Sequence, residues 1–251
     1  MTDQMIGIIP AAGSGVRARP YSYEVHKGLF EIDGRSNLER TIQIMRDDLG
    51  ISEVVVVIGY MGESVKASLG DGERQSVKIH YVENQHLDRG WAWSVLLAKP
   101  FLAGRHACIM LSDEFYLNTN IADLKKTDYA KHAVTVAVKQ VEDQEVIKRN
   151  FSVERSDTRI VRLIENPVTV HNDVLGMATF VVSSDVIGAL EETYEGGRQS
   201  IEFVSFVDGL IGMGKSVVGF DMNGTYMNLN DVSSLEAAND IAIRARLTAS
   251  E

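Results

Sequence analysis

The sequence predicts an α/β protein built on a mostly parallel, doubly wound sheet, with a smaller mixed β region in its second half. Three observations predict it. Strand-like and helix-like stretches alternate through the first half, the pattern of a parallel sheet covered on both faces. A glycine-rich segment, Gly13-Ser14-Gly15, directly follows the apolar run Met5-Ile6-Gly7-Ile8-Ile9, as a turn at the carboxyl end of a buried strand does. The 251 residues are 45% apolar, enough to fill the core of one unit in the range of roughly 200–250 residues common in this class. One unit spanning 1–251 is expected, with a first half over 1–141 and a second over 142–251.

In order, Met5–Ile9 reads as a buried strand and the stretch near Asn37–Leu49 as a helix. Glu53–Ile58, four of whose residues are valine, reads as a second buried strand, because β-branched side chains suit a pleated, packed surface. Helix Gly62–Leu69, strand Val77–Val82 and helix Trp91–Leu102 follow, the last with Pro100 near its end. Strand His106–Leu111 ends in Ser112-Asp113-Glu114, and a short helix near Ile121–Lys126 leads to a long strand, Ala133–Val141. Beyond it, Phe151–Arg155 and Arg159–Glu165 read as a hairpin around Ser156-Asp157-Thr158, residues that favour turns. Leu175–Val182 and Ser216–Asp221 read as strands, and Asp185–Tyr194, Ile201–Met213 and Val232–Arg246 as helices. The apolar Ile201–Met213 could serve a homo-oligomer interface, although helices of that pattern usually pack on their own core. The charged stretch Glu142–Arg149 reads as a solvated surface segment. Neither an internal repeat nor a low-complexity tract interrupts the chain.

Composition excludes several classes. The formal net charge is −10, from 25 basic and 35 acidic residues, which argues against general binding to nucleic acid or an anionic membrane. The single cysteine, Cys108, sits inside the apolar run Ala107–Leu111, so it reads as core and no intramolecular disulfide can form. No apolar run approaches the roughly 18 residues of a membrane helix, and with the first strand entered by Met5 no cleaved leader is expected. A soluble, cytoplasmic protein is the expectation.

The loop after the first strand carries the chemistry. Glycines at 13 and 15 are expected to take positive φ and let consecutive amides face an anion, while Arg17 and Lys27 add full charges. Gly13-x-Gly15-x-x-Ala18 matches a dinucleotide fingerprint, but Pro20 stops any helix opening at Ser14, and the strand Val54–Ile58 is followed by Gly59-Tyr60 rather than an acid. A Walker loop fails too, since Lys27 lies twelve residues beyond Gly15. Gly15-Val16-Arg17-Ala18-Arg19-Pro20-Tyr21-Ser22, followed by Lys27, instead resembles the signature G-x-R-x-x-P-x-T…P-K of the sugar-phosphate nucleotidylyltransferases, with every spacing kept. Val16, Ser22 and His26 depart from the usual Thr, Thr and Pro.

This resemblance implies a Rossmann-like nucleotide-binding half over 1–141, with the smaller mixed β region and the C-terminal helix over 142–251 serving the acceptor. It implies an NTP and a phosphorylated acceptor as substrates, most simply a sugar 1-phosphate, condensed with release of pyrophosphate with the help of Mg²⁺. Arg17 and Lys27 are the implied catalytic cations. Ala11, Ala12, Gly13, Ser14 and Gly15, with Gln85 and Gly90 farther along, are the implied nucleotide contacts. Trp91 and Trp93 could stack on the base or pack as core. Asp113 resembles the metal carboxylate that follows the fourth core strand, and Asn228 and Asn230 both stand as candidates for the second metal ligand. Glu165, Asn166 and Gly176 resemble the acceptor contacts, with Asn166 in place of the usual Lys. Arg162, Lys139 or His171 could replace that charge. The six histidines show no ligand spacing, which leaves zinc without support. A cytidylyltransferase acting on a non-sugar phosphate, phosphonate or polyol phosphate, and a non-catalytic nucleotide-binding domain, are the alternatives.

Overall fold

The computed structural model describes residues 5–248, Arg17 by its backbone alone. Strand β1 (Met5–Ala11) is buried along nearly its whole length, as a central parallel strand must be. Three 3₁₀ turns, at Val16–Ala18, Tyr21–Tyr23 and Lys27–Leu29, carry the chain away from it. A two-residue turn at Asp33-Gly34, both with positive φ, joins β2 (Glu31–Ile32) to β3 (Arg35–Ser36), as the Asp-Gly pair favours. Helix α1 (Asn37–Asp47) starts in a capping box: the Ser36 side chain accepts from the Glu39 amide, and the Glu39 carboxylate accepts from the Ser36 amide.

Next come β4 (Glu53–Ile58), α2 (Gly62–Leu69) and β5 (Lys78–Glu83). The single helix expected over Trp91–Leu102 is two, α3 (Trp91–Leu97) and α4 (Lys99–Leu102); Pro100 has no amide to continue the ladder across the junction. Strand β6 (His106–Ile109) is followed at once by β7 (Glu114–Leu117), which turns away from the sheet. Ile121–Lys126 is a 3₁₀ helix. Strand β8 (Val134–Gln140), helix α5 (Gln144–Lys148), strands β9 (Phe151–Ser156), β10 (Arg159–Glu165) and β11 (Val174–Val182), and helices α6 (Ser184–Glu195) and α7 (Phe203–Gly212) follow. Strands β12 (Val217–Asp221) and β13 (Thr225–Asn228) precede helix α8 (Val232–Thr248).

The central sheet has nine strands in the order β5-β4-β1-β6-β11-β8-β12-β10-β9. Only its first four strands are uniformly parallel. Strand β11 runs antiparallel to β6 and β8, β12 runs parallel to β8, and β10 is antiparallel to β12 and β9. The fold is therefore a mixed α/β fold, and the mixed strands of the second half extend the same sheet instead of forming a separate β region. Ile6 and Ile8 face one apolar cluster with residues of α3, α6 and α7; Met5 and Ile9 face another with residues of α1 and α2, as period-two alternation requires.

Strands β7 and β13 form their own antiparallel pair, which α8 covers through Ala238 and Ala242. Because β1 and β6 are parallel, the segments that leave their carboxyl ends, Ala12–Lys27 and Met110–Asp113, emerge at the same edge. Among the described residues no helix is long and apolar enough to cross a membrane.

Candidate active site

Lys27 is almost fully buried, and its ammonium donates to Asp113 Oδ2 at 2.7 Å and to Asn230 Oδ1 at 3.0 Å. These three residues, far apart in sequence, are brought to one point. His26 aims the lysine. Its Nε2 lies 2.9 Å from the Ala11 carbonyl and its Nδ1 accepts from the Gly28 amide at 3.1 Å. That pairing puts the proton on Nε2, and burial holds the imidazole's pKa below its ordinary value, so the ring stays neutral and caps the turn Lys27–Leu29. The histidine thus joins this turn to the end of β1 by hydrogen bonds.

Close packing fixes the rest of the loop. Gly15 has φ +60°, and a Cβ there would lie 3.3 Å from Lys27 Cβ; a Cβ on Gly28 would come within 2.8 Å of Leu38. Gly13 differs from the expectation. It lacks a positive φ, and a Cβ on it would meet no atom within 4 Å. It borders the cavity, so its lack of a side chain leaves room for a ligand. Gly13→Ala is expected to leave stability within about 0.5 kcal/mol of wild type while raising KM for the NTP at least about fivefold, since the new methyl costs binding and not folding. Thermal unfolding and NTP-saturation kinetics on the same preparation check both halves.

Asp113 stands just beyond β6, and buried Asn37 holds the backbone on either side of it. Asn37 Nδ2 donates to the Ser112 carbonyl at 2.9 Å and to the Glu114 carbonyl at 3.0 Å. Asn228 faces elsewhere: its amide nitrogen donates to Asn150 and, at 3.2 Å, to the Tyr226 hydroxyl. Among the described residues no three His, Cys, Asp or Glu side chains gather to hold a metal. One carboxylate with an amide oxygen beside it fits Mg²⁺ as a ligand's phosphates would bring it, since this ion keeps few protein ligands.

A cavity of about 460 Å³ opens above the loop. Ala12, Gly13, Ser14, Gly15, Lys27, Gly90 and Asp113 line it; Ala11 and Gln85 do not. Gln85 is exposed, and its neighbour Asn84 occupies the wall, bonded to Ser94 Oγ at 2.9 Å and to the His86 amide at 2.8 Å. Gly90, at φ +79°, has a second duty: a Cβ there would sit 2.2 Å from the Ile201 carbonyl oxygen. Trp91 lines the cavity while packing on Phe180 and Phe203. Trp93 does not line this cavity; it is packed between the Arg89 guanidinium at 3.5 Å and Tyr194. The Arg17 side chain lies outside the described residues.

A second cavity of about 440 Å³ shares Trp91, Leu111 and Asp113 with the first. Glu165, Asn166 and Asn228 line it, as do Glu114, Arg149 and Glu202. Gly176 does not; a Cβ there would strike the Phe151 ring at 1.8 Å, so its lack of a side chain serves packing. Asn166 has φ +44°, a backbone state that asparagine tolerates better than lysine. The three cations considered as its replacement are all outside the cavity lining: Lys139 donates to the Gly224 carbonyl at 2.8 Å, Arg162 lies 3.8 Å from Asp208, and His171 is exposed. Arg149, read from sequence as solvated surface, is the guanidinium in this cavity.

Glu114, which ends the same segment as Asp113, carries no role that its sequence context assigns. It is 1% exposed and accepts from Tyr226 at 2.6 Å, Tyr116 at 2.5 Å and the Ala178 amide at 3.0 Å. Burial pushes its pKa to about 7 in spite of these donors.

A strand-turn-cation loop, a carboxylate at the parallel strand's end and two joined cavities are the layout of a nucleotide-handling transferase. The chain belongs to the nucleotidyl transferase family, whose model matches residues 6–243. It is 24% identical over 241 residues to a Streptomyces griseus glucose-1-phosphate thymidylyltransferase, covering 95% of this chain and 66% of that one. A Haloferax volcanii UTP–glucose-1-phosphate uridylyltransferase is 25% identical over 226 residues, covering 90% of this chain and 91% of its own. A Bacillus anthracis structure provisionally named a glucose-1-phosphate thymidylyltransferase and solved with sucrose has the same fold, with a TM-score of 0.84 at 19% identity over 95% of each chain. This chain thus spans just under two thirds of the Streptomyces relative and most of the Haloferax one.

Proposed function

We propose that this protein condenses an NTP with a sugar 1-phosphate to give an NDP-sugar and pyrophosphate. The observation that carries this reading is the pair of cavities meeting at Asp113, the carboxylate that also holds Lys27. The loop amides from Ala12 to Gly15 would bind the triphosphate in the first cavity, and the acceptor would occupy the second. An acceptor phosphate oxygen attacks the α-phosphorus in line; the bond from that phosphorus to the bridging oxygen of the β-phosphate breaks, and pyrophosphate leaves with the electron pair. No covalent enzyme intermediate is needed.

Lys27 would hold the α-phosphate and the acceptor phosphate together, replacing the mutual repulsion of two anions by attraction to one cation. Arg17 would follow charge on the β- and γ-phosphates. Arg149 supplies the acceptor-side charge that Asn166 lacks. Asp113 and Asn230 would hold Mg²⁺, which supplies Lewis-acid neutralisation of the triphosphate when bound. Asn228, bonded to Asn150 and Tyr226 in the second cavity, is better suited to shaping the acceptor end.

The test is pyrophosphate release with Mg²⁺, each of ATP, CTP, GTP, UTP and dTTP being offered separately with a pool of sugar 1-phosphates. Release with at least one NTP, lost in Lys27→Ala, is expected. NTP binding without release in any acceptor pool would favour a nucleotide-binding domain without catalysis.

A further inference from the structure

Lys27 stands on the same two side chains that the reading above assigns to Mg²⁺. Its ammonium donates to Asp113 Oδ2 at 2.7 Å and to Asn230 Oδ1 at 3.0 Å. Charge decides whether both cations fit. Asn230 is neutral, so the pair carries one negative charge, and the ammonium cancels all of it. Mg²⁺ added to those oxygens would leave two uncompensated positive charges beside a lysine that is almost fully buried, where repulsion is weakly screened. A carboxylate at 230 would leave a negative charge over for the metal; the asparagine of this chain does not.

The scaffold keeps the oxygens still and lets the ammonium move. Asn37 holds the backbone on both sides of Asp113. The Leu229 amide donates to the Asp113 carbonyl at 2.8 Å, which fixes the segment that leads to Asn230. Lys27 is held at its root, since His26 caps its turn and the Gly15 backbone crowds its Cβ. The outer bonds of its side chain can rotate, and it borders the first cavity, where the triphosphate is placed. An ammonium that left Asp113 with no new acceptor would be an unpaired buried charge. A phosphate oxygen supplies that acceptor, and a triphosphate brings the negative charge that both cations need. We propose that Lys27 and Mg²⁺ are alternative occupants of the Asp113–Asn230 pair: the arriving triphosphate draws the ammonium onto its α-phosphate, and the metal it carries takes the released oxygens. The pair then binds metal well only together with the nucleotide. This rests on the nucleotidylyl transfer proposed above and adds the order in which its two cations are placed.

Metal binding without nucleotide tests it. Mn²⁺ stands in for Mg²⁺, and its free concentration is read by electron paramagnetic resonance in titrations of the wild type, Lys27→Met and Lys27→Ala, with unfolding measured alongside. The lysine variants are expected to bind Mn²⁺ at least tenfold tighter than the wild type. Arg149→Met, which removes a cation from the adjoining cavity but not from these oxygens, is expected to shift the affinity less than twofold. Adding Asp113→Asn or Asn230→Ala to Lys27→Met is expected to weaken binding at least fivefold again. An affinity unmoved in the lysine variants, or moved as far by Arg149→Met, overturns the inference. Pyrophosphate release is read separately: release that depends on Lys27, with Mn²⁺ affinity unmoved, leaves nucleotidylyl transfer standing without the exchange. Tighter Mn²⁺ binding by the lysine variants with no release in any acceptor pool supports the exchange and counts against the transfer.

Discussion

Replacing Lys27 by Met is expected to lower turnover by about 10²–10³-fold, the loss seen when one charge contact to a transition state is removed, while the protein still folds. Methionine keeps most of the length and the apolar stem, so the slot against Gly15 stays filled. What disappears is the ammonium that bonds Asp113 and Asn230. Asp113 is left without its cation, but its side chain is 21% exposed at the cavity and water can reach it, so the stability loss is expected near about 1–2 kcal/mol. Lys27→Arg keeps the charge and still fails to restore full rate, because a planar fork does not occupy the place of a compact ammonium. Pyrophosphate release and denaturant unfolding on the three proteins read the two effects separately. Wild-type turnover in the methionine variant would remove Lys27 from the mechanism.

The lysine was legible in the sequence because the signal is local: an apolar strand, a glycine turn and two cations within one stretch of chain. Asp113 was legible for the same reason, standing at the end of an apolar run. Long-range pairing was not. Strands β7 and β13 have four residues each and meet across more than a hundred residues of chain, so neither carries a period long enough to read. Their pairing bears on the two metal candidates, since Asn228 is the last residue of β13 and Asn230 lies just past it. His26 stands where the resemblance has proline and does not preserve its chemistry, yet its two ring nitrogens, bonded to Ala11 and Gly28, tie the loop down by other means.

Arg149 was set aside because a run of charges beside it suggests solvent, and only the position of α5 at the end of β8 brings its side chain to the cavity. The glycines show the same limit. Gly13, Gly90 and Gly176 all suit a ligand contact in sequence, whereas two of them are required by a neighbouring backbone or ring. A glycine's identity says that space is needed and leaves open what fills it. The assignment of Gln85 missed the cavity wall by one position, the smallest error that turns a strand-end side chain to the opposite side.

Glu114 is where the largest stability effect is expected, and its two substitutions should differ sharply. Its carboxyl group joins three strands: Tyr116 on β7, Tyr226 on β13 and the Ala178 amide on β11 all donate to it. Glu114→Ala leaves that amide without its acceptor in a buried hole, at an expected cost of about 3–5 kcal/mol. Glu114→Gln can keep the network, because an amide oxygen still accepts from Tyr226 and Ala178, and Tyr116 can donate instead to Thr179 Oγ1, 2.7 Å away. The glutamine variant should also change how stability depends on pH. With the folded pKa raised from 4.5 to about 7, the folded state keeps a proton between those values that the unfolded chain has released. Stability from this group is therefore full below about 4.5 and lost as the pH rises through about 7, a change of about 3 kcal/mol. His26 acts in the opposite sense, since its lowered pKa costs stability as the pH falls below about 6.5. Both proteins retain His26 and Glu165, so these contributions cancel in the difference between them. Unfolding free energies measured from pH 5 to pH 8 should thus show Glu114→Gln gaining on wild type as the pH rises. A difference that stays flat across that range would mean that Glu114 is ionised in the folded protein throughout, and that the two tyrosines and the amide stabilise a buried charge.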